Sequence, residues 1–562
     1  MRSPRPAIRT AREVLAGLVS AGIKHLLLSP GSRSAPLAYA AAEAEAAGLL
    51  TLHVRIDERS AGFYALGLAQ STGTPVGIVV TSGTAVGELL PAVMEADHSG
   101  TPLLVLSADR PEELQGTGAS QTTLQDPLFA NHTRASLSVP AGENPGQAVT
   151  TALQALAGDR QHSAGPVQLN LQFREPLTPE SGSRLAAQEW ASQLQPGHWD
   201  QVDTPEPSWV DEPATQHRTV VIAGHQAGTQ AQAFAKHLGL PLLAEPSSNA
   251  RFSEQALAHY RLLLAVAEEH IEKVVLFGRP TLSRPVGRVL ANPKISTAIW
   301  QPQSVSWYAP GRRREQVIGE AEQLQQFAGR APAGWLQAWQ ELEAQAHSVA
   351  EAAQPTQRTL TGYQVARALW EQRTGPLFIG SSNIVRDFDL AAVPATTAGP
   401  RVYANRGLAG IDGSISTALG IARGSGQATR AILGDITFLH DASALLLAPD
   451  EPTPTLDVVI FNDAGGAIFS TLEHGQVHES GAYGRSVERL FATPHQAQIK
   501  ALARAYGWSY AAPQDYAELQ QVLADQQPDQ VRLIEVRADR EQRRAQGLAL
   551  EQRVASLPWT GH

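Results

Sequence analysis

Two segments, Arg430-Ala-Ile-Leu-Gly-Asp435 and Leu456-Asp-Val-Val-Ile-Phe-Asn-Asp-Ala-Gly-Gly466, decide the fold prediction. Each begins with a short apolar run and continues into a polar loop that contains an aspartate. A third segment near the start, Thr51-Leu-His-Val-Arg-Ile-Asp-Glu58, has the same form and places Glu58 in its loop. Open parallel sheets carry their ligand loops at the carboxyl ends of the strands. The three segments therefore predict parallel strands that are followed by chemically active residues.

Apolar, β-branched runs alternate with Ala- and Leu-rich helical stretches through most of the chain. This alternation is typical of parallel sheets covered by helices on both faces, so we predict the α/β class. The predicted strands are 25–28, 51–54, 77–80, 102–106 and 167–171 in the first third, 219–224, 241–244, 273–278 and 296–300 in the middle third, and 376–380, 401–403, 431–433, 457–461 and 531–536 in the last third.

The chain of 562 residues is too long for one hydrophobic core. Residues 194–218 are rich in Pro, Asp, Glu and Trp without periodicity, and residues 352–359 are rich in Ala, Gln and Pro, so both stretches are predicted linkers. We therefore predict three α/β domains, at 1–190, 191–355 and 356–562.

Composition limits the possible partners. Hydrophobic residues make up 43% of the chain, charged residues 17%, and no apolar run reaches the roughly 18 residues of a membrane span. The start leads into an amphipathic helix without an export signal, which predicts a soluble, cytoplasmic protein. A net charge of −10 without a Lys/Arg cluster argues against nucleic-acid or membrane partners. The absence of cysteine excludes disulfides, thiolate metal sites and cysteine nucleophiles.

Other common cofactor motifs are missing from the sequence. There is no Walker A lysine loop and no Gly-x-Gly-x-x-Gly string. His474 and His478 have helical spacing, but Gly475 and nearby glycines argue against a helix. We predict a surface loop there and no zinc site.

Asp435 and Asp463 are hard oxygen ligands, and each lies just beyond a predicted strand. Together with a backbone carbonyl, for which Gly465 is the candidate, they could hold Mg²⁺ on a diphosphate. Gly465 and Gly466 would let the backbone approach a phosphate closely. The alternative is that both aspartates lie in simple turns.

Four arginines follow predicted strands in an acidic chain: Arg33, Arg110, Arg386 and Arg406. Planar guanidinium groups bind carboxylates through paired hydrogen bonds. If these loops converge, the pocket would suit substrates with several carboxylates. The alternative is that each arginine is a solvated charge or a structural ion pair.

Seven strings in the chain are long and specific: Ser29-Pro-Gly-Ser-Arg-Ser34, Ile56-Asp-Glu-Arg-Ser-Ala-Gly-Phe63, Thr81-Ser-Gly-Thr-Ala-Val86, Leu106-Ser-Ala-Asp-Arg-Pro111, Gln121-Thr122, Asn405-Arg-Gly-Leu-Ala-Gly-Ile-Asp-Gly413 and Ala467-Ile-Phe-Ser470. They resemble the 2-succinyl-5-enolpyruvyl-6-hydroxy-3-cyclohexene-1-carboxylate synthase family, the menaquinone-pathway members of the thiamine-diphosphate-dependent superfamily. The resemblance covers 28–126 and 379–472 well and the middle third weakly. It implies three doubly wound parallel-sheet domains, in the order pyrimidine-binding, middle and diphosphate-binding.

The resemblance also implies the cofactors, thiamine diphosphate and Mg²⁺ or Mn²⁺. Glu58 would activate the aminopyrimidine ring in a proton relay, although Asp-Glu-Arg-Ser is also a helix start. Asp463 stands where the superfamily motif has Asn, so it adds a negative charge beside the diphosphate. For the apolar members of the site, core packing is the alternative. The implied cofactor-binding residues are Glu58, Ile411, Gly434, Asp435, Asp463, Ile468 and Phe469, and the implied metal ligands are Asp435, Asp463 and Gly465.

The implied substrates are isochorismate and 2-oxoglutarate, which would be joined with loss of CO₂. Arg284 stands where the family often has Lys, in the weakly matching middle third. Glu58 and Gln121 are the implied catalytic residues. The residues implied to contact isochorismate are Ser32, Arg33, Arg110 and Arg284, and those implied to hold the 2-oxoglutarate-derived part are Ser382, Arg386 and Arg406.

Two alternatives remain at this point. The chain could be another thiamine-diphosphate lyase or decarboxylase, such as an acetolactate-synthase-like enzyme, or a non-catalytic homologue that binds the cofactor. In this superfamily the two halves of the cofactor usually meet across a subunit interface. A homodimer or homotetramer with active sites at that interface is therefore implied.

Overall fold

The structure is a computed structural model of one chain, and it describes residues 5–180, 184–200, 206–209, 213–309, 311–354, 360–395, 397–466, 468–479, 481 and 483–561. The strands of these residues form three separate six-stranded sheets. The strand pairs of the three sheets are parallel, and most successive strands are connected by helices. The predicted α/β class with three parallel sheets is confirmed.

The first sheet has the strand order β2-β1-β3-β4-β6-β5. Its strands are β1 (His25–Leu28), β2 (Thr51–Val54), β3 (Val76–Val80), β4 (Leu103–Asp109), β5 (Ser136–Val139) and β6 (Val167–Gln172). The helices of this part are α1 (Ala7–Ser20), α2 (Ala35–Ala46), α3 (Glu58–Thr72), α4 (Thr84–Gly87), α5 (Leu90–Ser99), α6 (Gly146–Ala157) and α7 (Arg184–Ser192).

The middle sheet has the order β12-β11-β10-β7-β8-β9. Its strands are β7 (Thr219–Ala223), β8 (Leu242–Ala244), β9 (Ala256–Leu257), β10 (Lys273–Phe277), β11 (Ser296–Trp300) and β12 (Gln316–Ile318). The helices of this part are α8 (Gly228–Leu238), α9 (Tyr260–Ala267), α10 (Arg284–Ala291), α11 (Ala321–Ala328) and α12 (Trp335–Ala352).

The third sheet has the order β14-β13-β15-β16-β18-β17. Its strands are β13 (Leu377–Ile379), β14 (Val402–Tyr403), β15 (Thr429–Gly434), β16 (Leu456–Asn462), β17 (Ser509–Ala511) and β18 (Val531–Arg537). The helices of this part are α13 (Gly362–Glu371), α14 (Ile384–Ala391), α15 (Ser414–Ser425), α16 (Asp435–His440), α17 (Ile468–Thr471), α18 (Glu473–Glu479), α19 (Gly484–Val487), α20 (Ile499–Ala505), α21 (Tyr516–Ala524) and α22 (Glu541–Ala555).

The first and third sheets share one topology. Numbered within each sheet, both have the order 2-1-3-4-6-5, whereas the middle sheet has 3-2-1-4-5-6. In the first and third sheets, the second strand is added on one side of the first strand and the third strand on the other side. The order of strands therefore reverses between the first and third strands of each sheet. Ligands of doubly wound sheets bind in the crevice beyond the carboxyl ends of the strands at such a switch point. Ligand-binding sites are therefore expected in the crevices at β1/β3 and at β13/β15.

Helices α3 and α15 join the first and third parts of the chain. Residues 60–69 of α3 are all buried, as expected for a helix that is surrounded by protein. A Cβ at Gly67 would overlap the carbonyl oxygen of Thr417, and one at Gly420 would overlap that of Tyr64. The two glycines thus let the helix backbones touch. One hydrophobic core includes residues of both helices and of both sheets.

Each of the fourteen predicted strands overlaps an observed strand. The predictions missed β5, β9, β12 and β17, which are all edge strands. The prediction of a loop around His474 was wrong, because α18 spans Glu473–Glu479. Gly475 is needed there, since a Cβ would overlap the carbonyl oxygen of Ser470, and packing against α17 outweighs its low helix propensity.

The strands of each sheet fall within one predicted domain, at 25–172, 219–318 and 377–537. The domain boundaries themselves stay predictions, and the second one, between 355 and 356, lies outside the described residues. Every helix in the described part of the chain is too short or too polar to cross a bilayer.

Candidate active site

The crevice at β13/β15 is closely packed at its base. Ser382 follows β13 and faces Gly434, the last residue of β15; a Cβ on Gly434 would lie 3.0 Å from the Cβ of Ser382. The hydroxyl of Ser382 is buried without a hydrogen-bond partner among the described residues. A buried polar atom without a partner indicates room for a ligand group.

Asp435 begins α16 directly after β15, and its side chain is buried. Its Oδ2 accepts a hydrogen bond from the Gly465 N–H at 2.8 Å and lies 3.1 Å from His495 Nε2. These contacts bring the loop after β16 against the end of β15. Ala464 has a left-handed φ of 57°, which turns the chain at this point.

Asp463 follows β16 and is also buried. Its pKa is raised to about 7, first by burial and then by the nearby negative charge of Asp435, against the positive charges of Arg543 and Arg540. Two neighbouring buried carboxylates at the carboxyl edge of a parallel sheet form an oxygen donor set of the kind that Mg²⁺ takes. The residues present thus fit a divalent cation. That the Gly465 carbonyl is a third ligand stays a prediction.

Glu58 is the first residue of α3, and Asp57 caps the helix by accepting a hydrogen bond from the Ser60 N–H at 3.2 Å. The alternative of a helix start is therefore correct, and it is compatible with a catalytic role. Burial raises the pKa of the Glu58 carboxyl, and the negative charges of Asp57 and Glu88 act in the same direction. A raised pKa favours the protonated form of the carboxyl, which a proton relay uses.

The residues on both sides of Glu58 contact the segment that follows α16. The Ser443 hydroxyl donates to Asp57 Oδ2 at 2.7 Å, and Arg59 Nη2 lies 3.6 Å from Asp441 Oδ1. Within the chain, Glu58 therefore lies beside 441–443, at the end of α16 opposite to Asp435.

The crevice at β1/β3 contains a first pair of arginines. Arg33 Nη1 donates to the Phe173 carbonyl at 2.8 Å, and Arg110 Nη1 donates to Ser82 Oγ at 3.0 Å. Burial lowers the pKa of Arg33, and the positive charge of Arg110 lowers it further, so the two cations face one crevice. Ser32 is exposed beside them.

Gln121 is exposed and has a left-handed φ of 51°. Its position depends on Gln125, a buried side chain that the sequence did not single out. Gln125 Oε1 accepts from the Gly83 N–H at 2.8 Å, and its Nε2 donates to Asn170 Oδ1 at 2.8 Å. The loop with Gln121 is thereby held at the carboxyl edge of the first sheet.

A second group of arginines lies at the third sheet. Burial lowers the pKa of Arg386 to about 10, and the positive charges of Arg261 and Arg406 contribute. Arg406 is buried, and its Nε donates to Thr281 Oγ1 at 2.9 Å. Arg261 comes from α9 of the middle part and was not predicted. The expected convergence of arginines thus occurs as two groups, one at each crevice.

Arg284 lies on the same side as Arg386. Both line a cavity of about 300 Å³ together with Asn383 and Leu472. The Arg284 side chain is 72% exposed, and its Nη2 donates to Glu473 Oε2 at 2.9 Å. The middle part of the chain therefore contributes an exposed arginine to the cavity that Arg386 also lines.

The three apolar residues of the predicted site are half-buried. Ile411 precedes α15, and Ile468 and Phe469 begin α17. The Phe469 ring packs against the rings of Phe491 and His474, with centroids 5.6 and 6.0 Å away. Ala467, the first residue of the predicted string, lies outside the described residues.

The structure therefore brings together Ser382, Gly434, Asp435, Asp463 and Gly465, and it places Arg386, Arg406 and Arg284 nearby. It groups Arg33 and Arg110 at a different crevice. Sequence reasoning missed His495, Arg261 and Gln125. None of these three residues directly follows a predicted strand, whereas most of the predicted site residues do.

Comparisons with known proteins define the class. The family model described as "Thiamine pyrophosphate enzyme, N-terminal TPP binding domain" matches residues 8–129. The solved structure of benzoylformate decarboxylase from Polynucleobacter necessarius has the same fold, with a TM-score of 0.64 at 14% identity, covering 96% of this chain and 99% of that one. Fold and matched domain together are those of a thiamine pyrophosphate enzyme.

The curated relatives identify the family within this class. A 2-succinyl-5-enolpyruvyl-6-hydroxy-3-cyclohexene-1-carboxylate synthase of Arthrobacter sp. (strain FB24) is 53% identical over 542 residues, 95% of this chain and 90% of the relative. One of Paenarthrobacter aurescens (strain TC1) is 51% identical over 560 residues, 98% of this chain and 97% of the relative. This chain belongs to the 2-succinyl-5-enolpyruvyl-6-hydroxy-3-cyclohexene-1-carboxylate synthase family. The predicted family and enzyme class are confirmed.

Proposed function

We propose that the chain joins 2-oxoglutarate and isochorismate, with loss of CO₂, to give 2-succinyl-5-enolpyruvyl-6-hydroxy-3-cyclohexene-1-carboxylate in menaquinone biosynthesis. The observation that carries this proposal is the arginine group at the third sheet, where Arg386, Arg406 and Arg261 face one another beside the loop of Ser382. Three cations in a buried site match a substrate with more than one carboxylate. Pyruvate, the substrate of the acetolactate-synthase-like alternative, has only one.

Thiamine diphosphate supplies the carbanion chemistry when it is bound. The diphosphate would lie at Gly434 and the loop after β16, where Asp435, Asp463 and the Gly465 carbonyl would hold Mg²⁺ or Mn²⁺. Ile411, Ile468 and Phe469 would surround the rings and keep water away from them.

Glu58 would hold a proton at its carboxyl group and exchange it with the aminopyrimidine ring. Its half-buried position and its raised pKa support this role. Gln121 would orient the reacting groups from its exposed loop.

Two sets of side chains would bind the substrates. Arg386, Arg406 and Ser382 would hold the 2-oxoglutarate part, and the buried, unpaired hydroxyl of Ser382 supports its share in this role. The residues that would bind isochorismate are Ser32, Arg33, Arg110 and Arg284.

The active unit would be a homodimer or a homotetramer. Within one chain, Glu58 lies beside 441–443 and not beside Asp435. An arrangement in which Glu58 of one chain serves the diphosphate site of another would complete each site. The three domain ranges and the cytoplasmic location stay predictions of the sequence.

The test is turnover of the purified chain with thiamine diphosphate, Mg²⁺, 2-oxoglutarate and isochorismate, with each component omitted in turn. Product of the expected mass that requires all four components is the expected result. Cofactor binding without any product would contradict the proposal and favour a non-catalytic homologue.

A further inference from the structure

Glu95 is a buried carboxylate outside the set of proposed catalytic and substrate-binding residues. It comes from α5 of the first part of the chain and is 3% exposed. Its Oε1 accepts from the Gly407 N–H and its Oε2 from the Leu408 N–H, both at 2.7 Å. These two amides directly follow Arg406. One carboxylate thus fixes the two peptide groups next to a proposed substrate arginine.

Glu245 does the same for a second loop. It follows β8 in the middle part and is 2% exposed. Its Oε1 accepts from the Thr281 N–H and the Leu282 N–H, both at 2.9 Å. This loop leads to Arg284 at the start of α10.

Arg406 connects the two loops. Besides its Nε contact, its Nη2 donates to the Thr281 carbonyl at 2.9 Å and to Thr281 Oγ1 at 2.7 Å. Arg279, which comes from the middle part of the chain, donates a hydrogen bond to the Gly407 carbonyl. There is no room for a side chain at Gly407, because a Cβ there would lie 2.7 Å from the Glu95 carbonyl oxygen and 2.9 Å from Glu95 Oε1. All three parts of the chain therefore meet at Arg406.

Buried carboxylates are costly unless their hydrogen bonds are complete. An apolar residue would fill either position in the core at a lower cost in desolvation. The two glutamates differ from other buried polar groups in that each binds a consecutive pair of amides beside a proposed substrate arginine. A loop that is already ordered before substrate binds loses less entropy on binding.

We propose that Glu95 and Glu245 are positioning residues, which hold the loops of Arg406 and Arg284 so that Arg406 meets a carboxylate of the 2-oxo acid substrate. The inference rests on the proposed function of Arg406. Glu95 itself touches neither substrate nor cofactor and acts through the backbone of 407–408.

The first experiment uses Glu95→Gln in the full chain with thiamine diphosphate and Mg²⁺. The amide keeps the size of the side chain but turns one acceptor into a donor that faces a backbone N–H. We expect the KM for 2-oxoglutarate to rise about tenfold or more, with a smaller change in kcat and in the Kd of thiamine diphosphate. A 2-oxoglutarate KM within about twofold of wild type would overturn the proposal.

Asp159 provides a control. It also accepts hydrogen bonds from two consecutive amides, those of Gln161 and His162, both at 2.7 Å, but in an exposed turn before the amino end of β6. Asp159→Asn should leave the KM for 2-oxoglutarate unchanged. An equal rise in this control would show a general effect on stability and would overturn a specific role of Glu95.

A double-mutant cycle with Arg406→Ala separates positioning from a structural role. If Glu95 acts through Arg406, Glu95→Gln should add little to the KM effect of Arg406→Ala. If the two substitutions instead raised the KM by independent factors that multiply in the double variant, the inference would be overturned.

Hydrogen exchange at the Gly407 and Leu408 amides tests the contact without any turnover. Exchange should be faster in Glu95→Gln than in wild type. Equal exchange would refute the proposed contact between Glu95 and these two amides. A wild-type chain that does not turn over the two substrates would instead refute the proposed function. The two failures are thereby distinguished.

Discussion

At the scale of single residues, the surroundings of the Glu58 carboxyl match a proton relay. Burial raises its pKa, and α3 fixes its position through the Asp57 cap. Glu58→Gln keeps the size of the side chain and removes the exchangeable carboxyl proton. We expect turnover to fall by about 100-fold or more, with the fold retained, as measured by product formation and circular dichroism.

The exposed Glu88, whose charge acts on Glu58, offers the control for this substitution. Glu88→Gln should retain turnover. Near-normal activity of Glu58→Gln would remove that residue from the mechanism.

Asp463 is a predicted metal ligand, and it is a carboxylate where the resemblance implied an asparagine. Its carboxylate lies buried near that of Asp435, and the two negative charges disfavour each other. Asp463→Asn should stabilise the metal-free chain by roughly 1–3 kcal/mol while Mg²⁺-dependent cofactor binding is kept. Denaturant unfolding and cofactor titration measure the two effects. Loss of metal-dependent binding would show that the carboxylate itself is the ligand that matters.

Much of the candidate site was predictable because parallel sheets place functional residues directly after strands. Asp435, Asp463 and Arg406 were found in this way. His495 and Arg261 could not be found, because His495 comes from an irregular segment and Arg261 from a helix of another sheet. Their contacts with the site depend on how distant parts of the chain pack.

At the scale of elements, the strand predictions failed in one consistent way. Interior strands such as β3 and β16 are buried along their length and appear as continuous apolar runs. The missed edge strands are short or half-exposed: β9 has two residues, and β5 reads Ser-Leu-Ser-Val. An edge strand is defined by its neighbour more than by its own composition, so hydrophobicity alone did not reveal it.

The crossing of α3 and α15 gives a sharp prediction about packing. Gly67→Ala would place a methyl group on the Thr417 carbonyl, so the helices must separate. We expect a loss of about 3 kcal/mol or more in the free energy of unfolding, or failure to fold, in denaturant unfolding.

Gly287 in α10 provides the contrast, because a Cβ there would meet nothing within 4 Å. Gly287→Ala should be neutral or stabilising by up to about 1 kcal/mol, as expected for a helix interior. Equal effects of the two substitutions would show that the helix crossing is not as close as described.

At the scale of the whole molecule, the proposed sharing of sites between chains can be tested by mixing. Glu58→Gln and Asp435→Asn chains should each be inactive alone. In a mixed dimer, one site would carry both changes and the other would carry neither. Random reassembly should therefore recover about a quarter of wild-type turnover, measured after co-refolding or co-expression of two tagged chains. No recovery from purified mixed dimers would show that each chain builds its own site.

His225 lies buried where the middle and third parts meet. Burial lowers its pKa to about 3, and the positive charges of Arg406, Arg401 and Arg279 act in the same direction. Below pH 6.5 the unfolded chain gains a proton that the folded chain does not, so stability is lost as pH falls from 6.5 towards 3.

His225→Asn removes this titration and keeps a polar atom near Ser247, which lies 3.0 Å from the imidazole Nδ1. The stability of the variant relative to wild type should increase by about 2 kcal/mol between pH 6.5 and pH 5, in denaturant unfolding at each pH. A difference that stays constant over this range would contradict the lowered pKa.

The crossing of α3 and α15 also has a consequence for synthesis. The α3 surface around Gly67 is complete once Thr72 has been made, but α15 ends at Ser425, 353 residues later. At about 5–20 residues per second, a ribosome needs roughly 20–70 s to make the missing partner. For that time the nascent chain carries an apolar helix face that only its own distant continuation can cover, which makes it a client for chaperones during translation.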